Sequence, residues 1–201
     1  MHGRLHLFFW ALVILFTCIN ADDRGPKLLD AAKKGNYDKA VELIDGGVDV
    51  NYKNDRDESS LLLAAKKKNT KLVRLLLEKG ADINIQNKLN QTPLIWMAMM
   101  KDAKTTKVLL ENGADPNIID SNGRTALHYA SQNNAKDIVK FLEENGADLN
   151  IVDQNDETAL HKAAEKNLKE IVGILLKGGA NSTLTNWEGH TAYDLAVEKN
   201  C

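Results

Sequence analysis

The sequence predicts an all-α solenoid of stacked helix–turn–helix units with projecting β-hairpin loops, and three observations predict it. The pentapeptide Gly47-Val48-Asp49-Val50-Asn51 returns as Gly80-Ala81-Asp82-Ile83-Asn84, Gly113-Ala114-Asp115-Pro116-Asn117 and Gly146-Ala147-Asp148-Leu149-Asn150, with a weaker copy at Gly179-Ala180-Asn181. A second marker, Ser59, Thr92, Thr125, Thr158 and Thr191, keeps the same 33-residue step. Between the markers apolar residues recur at helical spacing, as Leu72, Val73, Leu75, Leu76 and Leu77 do. A unit this short cannot bury its own apolar face, so neighbouring units must stack.

Residues 1–21 stand apart from the repeats. Arg4 gives a short basic start, Leu5 to Ile19 is apolar apart from His6 and Thr17, and Ala21 precedes the acidic pair Asp22-Asp23. This is the layout of a secretory signal peptide cut after Ala21. The run is shorter than the ~20 residues that cross a bilayer comfortably. The alternative is an uncleaved anchor that holds the chain on the non-cytoplasmic side of a membrane. Cleavage removes Cys18 and leaves Cys201, so no internal disulfide is expected, and Cys201 reads as an inert terminal thiol.

The repeats then run at about 23–55, 56–88, 89–121, 122–154 and 155–187, with a partial one at 188–201. In each, the Ser or Thr marker caps a first helix by accepting a bond from its free N–H groups, and Pro93 suits a first helical position. The repeating glycine ends the second helix where a left-handed residue is needed. Asp and Asn after it suit the turn into the hairpin. Lys27, Lys33, Lys34 and Lys39 make the first repeat a polar cap, and the last stops after one helix around Thr191 to Ala196. Thr105-Thr106 replaces the aliphatic pairs at 72–73, 138–139 and 171–172, so the second helix of the third repeat is expected to be the weak link of the stack.

The period, with Thr92-Pro93-Leu94, Thr125-Ala126-Leu127-His128 and Thr158-Ala159-Leu160-His161, resembles the ankyrin-repeat family. The resemblance runs from about Asp22 to Cys201. It implies a non-catalytic module that binds a protein partner through a concave face lined by hairpin tips and first helices. It also implies that His128 and His161 are structural, bonding between neighbouring loops. Carried over by phase, the third repeat places Leu89, Trp96, Met99 and Met100 on that face where its neighbours show polar residues. Tyr129 lies one period after Trp96, and Arg124 stands at the next hairpin tip. These six residues, Leu89, Trp96, Met99, Met100, Arg124 and Tyr129, are the candidate partner-binding set. The opposing reading makes the Trp and Met residues core filler, since Met97 already replaces a small Ala.

Composition bounds the remainder. Charged residues make up 27% and the formal charge is −2, which gives no electrostatic reason to bind nucleic acid. The run Lys66-Lys67-Lys68 reads as a solvated helix end. No phosphate loop, serine elbow or paired-cysteine motif occurs, so no enzyme, cofactor or metal is expected. Asn90-Gln91-Thr92 and Asn181-Ser182-Thr183 match the glycosylation acceptor pattern, and neither is taken as a site. The expected molecule is a monomer, secreted or periplasmic, with a membrane association only if its N-terminal segment stays uncut. The runner-up role is a tethered structural or accessory protein.

Overall fold

The computed structural model describes residues 23–198. The segment read as a signal peptide, residues 1–21, and Cys201 lie outside the described residues. Five helix pairs precede a single closing helix: α1 (Arg24–Lys34) with α2 (Tyr37–Asp45), α3 (Ser60–Lys66) with α4 (Thr70–Glu78), α5 (Pro93–Met99) with α6 (Ala103–Glu111), α7 (Ala126–Gln132) with α8 (Lys136–Glu144), α9 (Ala159–Glu165) with α10 (Lys169–Lys177), and α11 (Ala192–Glu198). First helices stack on first helices and second on second, which gives two layers. The first layer is sandwiched, so Leu61, Leu62, Ala64, Leu94, Ile95, Met97, Leu127 and Leu160 are buried. The second layer buries one stripe, such as Leu72, Val73 and Leu76 on α4. Truncating Leu72 or Leu76 to Ala would cost ~2–5 kcal/mol.

Both helix ends follow from the markers. Ser59 Oγ and Thr92 Oγ1 accept from the amides of Leu62 and Ile95 at 3.1 and 3.2 Å. Gly80 and Gly113 sit at φ +85° and +86°, a left-handed backbone in which a side chain would be strained. The Asp-x-Asn steps have two jobs. Asp82 Oδ1 accepts from the Asn84 amide at 3.0 Å and folds the turn. Asn84 Oδ1 then accepts from the Asp115 amide of the next repeat at 3.0 Å. The same ladder joins Asn51 to Asp82, Asn117 to Asp148 and Asn150 to Asn181 at 2.7 to 2.8 Å.

Two features go beyond the expected pattern. Among the described residues the hairpins carry no strand, only isolated antiparallel bridges at Lys53–Ser59 and Thr185–Thr191. The tips close instead on a column of Asn and Asp at 54, 87, 120, 153 and 186. Asn87 Oδ1, for example, accepts from the Leu89 and Gln91 amides at 2.9 and 3.0 Å. The Thr105-Thr106 pair is also better placed than its polarity suggests. Both are buried, and Thr105 Oγ1 donates to Asp102 Oδ2 at 2.9 Å and lies 3.0 Å from Thr70 Oγ1 of the preceding repeat. Thr106 Oγ1 donates to the Asp102 carbonyl at 2.8 Å. The hydroxyls are satisfied, so no buried polar group is left bare there.

Candidate protein interface

The face built by the first helices and the loop tips carries two distinct side-chain clusters. The first centres on Leu89 and Trp96. Leu89 stands at a tip whose backbone is fixed from both sides: its amide donates to Asn87, and its carbonyl accepts from the Ser121 amide at 2.9 Å. Its side chain is nonetheless 54% exposed. Trp96 lies half-buried on α5, and its indole nitrogen is buried without a hydrogen-bond partner. The Lys66 ammonium sits 4.2 Å from the centre of the Trp96 ring and 2.9 Å from Glu58 Oε1. That bond from Lys66 outweighs partial burial and holds the Glu58 carboxyl below its ordinary value. Leu89 and Trp96, with Arg56, Glu58, Lys66 and Lys88, line a depression of about 280 Å³.

Met99 and Met100 share the Trp96 side of α5 through their i+3 and i+4 spacing. Both are half-buried, and their backbone carbonyls accept from Asn133 Nδ2 and Lys68 Nζ at 3.3 Å each. They do not line the Leu89–Trp96 depression. Of the six candidate residues the structure therefore joins Leu89 with Trp96 in one hollow, and Arg124 with Tyr129 in another cluster.

That second cluster is a polar network running from one tip to the next. Arg124 Nε donates to Asp153 Oδ2 at 3.0 Å, and its guanidinium lies 5.9 Å from the centre of the Tyr129 ring. The Tyr129 hydroxyl donates to Asp120 Oδ2 at 2.5 Å, and burial with this bond pushes the phenol upward. Lys162 lies 2.8 Å from Asp153 and also bonds the Glu157 carboxylate of the same tip. The Lys162 and Asp153 side chains are 3% and 1% exposed. Burial alone would raise the Asp153 carboxyl, but bonds from Lys162, the Asn155 amide and Arg124 outweigh it and hold it low. The recurrence of Asn or Asp at 54, 87, 120, 153 and 186 is the sequence signal that puts an acid, Asp153, beside Lys162.

His128 and His161 bridge neighbouring repeats. His128 Nδ1 accepts from the Thr125 amide at 3.1 Å, and its Nε2 donates to the Glu157 carbonyl at 3.0 Å. His161 repeats the pattern with Thr158 and the His190 carbonyl, at 3.2 and 3.3 Å. With one nitrogen accepting and the other donating, both rings are neutral. Burial, the dominant cause, lowers His128 to about 4. Among the described residues no group of three His, Cys, Asp or Glu could hold a metal, and no helix is long and apolar enough to cross a membrane.

A family model for ankyrin repeats, three copies to the model, matches residues 28–120, 61–153 and 145–201. The chain belongs to the ankyrin-repeat family. No curated protein matches it as a relative. Ankyrin repeats in general mediate protein–protein interactions and are typically non-catalytic. In this ankyrin chain Arg124 and Tyr129 brace adjacent repeats, while Leu89 and Trp96 offer apolar surface between them.

Proposed function

We propose that this ankyrin chain is an exported, non-catalytic module that binds a protein partner on the face formed by its first helices and loop tips. Leu89 and Trp96 stand at the centre of the contact, with Met99 and Met100 beside them. The Arg124–Tyr129 cluster forms a rigid polar flank. The observation that carries this reading is Leu89: a large aliphatic side chain left exposed on a backbone held at both its amide and its carbonyl. Such a residue enters a contact with little ordering to lose, and aromatic and adaptable neighbours are what interface centres use. The basic start and apolar run of residues 1–21 support export, with retention as a membrane anchor the second reading.

The test is affinity capture from a native extract with wild type, Leu89→Glu and Trp96→Ala, each melted in parallel. Leu89→Glu should leave the melt unchanged and remove captured partners. Trp96→Ala should weaken binding by at least ~2 kcal/mol, the size of an interface hot spot. An unchanged set of captured proteins with Leu89→Glu would overturn this surface. A melt for Trp96→Ala lowered by the ~3 kcal/mol or more of a buried aromatic would return Trp96 to the core.

A further inference from the structure

The Leu89–Trp96 depression has a neighbour one repeat toward the N-terminus. Leu29 and Leu63 give that second hollow its apolar floor, and Lys33 and Arg56 stand at its edge in a volume of about 340 Å³. The two hollows share Arg56 and Glu58. Their charges are unequal in availability. Glu58 is taken up by Lys66, and Asp30 by Lys34 at 2.8 Å. Among the described residues Lys33, Arg56 and Lys88 are exposed and make no ion pair, whereas Asp55 is the one comparably placed acid without a cation.

Stacked helices lie ~8–10 Å apart, and a polyproline II chain advances ~3.1 Å per residue with every third side chain on one face. Equivalent points on adjacent repeats are therefore about one turn, three residues, of such a chain apart. We propose that the paired hollows take one acidic segment of a partner protein in the polyproline II conformation, with apolar side chains three residues apart on one face and Asp or Glu between them. One apolar side chain enters beside Leu29 and Leu63, and the next enters beside Leu89 and Trp96. The intervening carboxylates face Lys33, Arg56 and Lys88. This inference rests on the interface reading above and adds the chemistry of the occupant. Opposite charge across such a contact sets specificity and speeds encounter, and it is screened by salt.

The experiment measures binding of fluorescein-labelled peptides to the purified full chain by anisotropy. The probe is Leu-Asp-Glu-Leu-Asp-Glu-Leu. Its controls are the same peptide with Lys for each acid, with Ala for each Leu, and with the three Leu made adjacent. The probe should bind saturably, each control should bind at least tenfold more weakly, and added salt should weaken the probe. Arg56→Glu with Lys88→Glu should cost at least tenfold, Asp55→Asn should tighten binding, and Lys104→Glu on the second layer should change nothing. Equal binding of the acidic and basic peptides, indifference to Arg56→Glu with Lys88→Glu, or no saturable binding of the probe would each overturn the proposal. If Leu89→Glu abolishes capture of a natural partner while the probe neither binds nor competes, the interface stands and the acidic occupant falls. If Leu89→Glu leaves capture unchanged, the interface itself falls.

Discussion

Acidification should loosen the stack through His128 before the carboxylates titrate. His128 is 2% exposed, and its ring is neutral, held between the Thr125 amide and the Glu157 carbonyl of the next repeat. Burial lowers it from 6.5 to about 4. The unfolded chain therefore binds more protons than the folded one between about pH 4 and 6.5, so stability is full above that window and is lost as pH falls through it. One such group removes about 2 kcal/mol between pH 7 and pH 5, as an upper figure from the linkage relation. His161, lowered in the same direction, adds to the loss. The assay is urea unfolding followed by circular dichroism at pH 7 and pH 5, read as midpoint at unchanged slope. His128→Gln keeps a side chain that can bond back to the Thr125 amide but cannot gain a charge at these pH values. The variant should lose less stability than wild type over this interval, by up to that amount. Equal losses in the two proteins would refute a buried, neutral His128.

Three further outcomes are expected. Thr106→Val exchanges a hydroxyl bonded only within its own helix for a methyl and should gain up to ~1 kcal/mol, whereas Thr105→Val cuts bonds to Asp102 and Thr70 and should lose ~1 kcal/mol or more; equal gains from both in urea unfolding would mean that the inter-repeat hydroxyl bond is not formed. Lys162→Ala strips the buried Asp153 and the partly buried Glu157 of their shared cation and should cost ~3 kcal/mol or more, where Lys166→Ala on the exposed surface should cost under ~1 kcal/mol; similar melts for the two variants would contradict the buried network. Intact-mass measurement of the native protein should give a chain beginning at Asp22, recovered outside the cytoplasm, and a full-length cytosolic chain would defeat export.

The stacking of helix pairs is legible in the sequence because each local signal repeats in phase. Thr92 and Pro93 start a helix, Gly113 ends the next, and the apolar stripe between them has no partner except the adjacent repeat. The face assignment of Trp96 follows from that phase alone. Its half-burial does not, because it depends on the Lys66 ammonium brought over the ring by the pairing with Glu58. By phase Arg124 is a partner-facing tip residue, and its tie to the stack, like the burial of Lys162, is not legible in the sequence for a related reason. Their partner, Asp153, belongs to a different loop, and only the stacking places the three together. Among the described residues the projecting loops carry only isolated bridges, because side chains such as Asn87 and Asp120 satisfy the tip amides that a ladder would otherwise use.

The central claim is that the partner meets the first-helix and tip face rather than the second-helix layer. Leu89 and Leu176 allow a matched comparison, since one lies at a tip of that face and the other on α10, and they are 54% and 46% exposed. A photo-crosslinking residue placed at position 89 or at position 176, and irradiated in a native extract, reports directly which surface is covered. A discrete crosslinked partner is expected from position 89 and none from position 176. Crosslinking from position 176 with none from position 89 would contradict it.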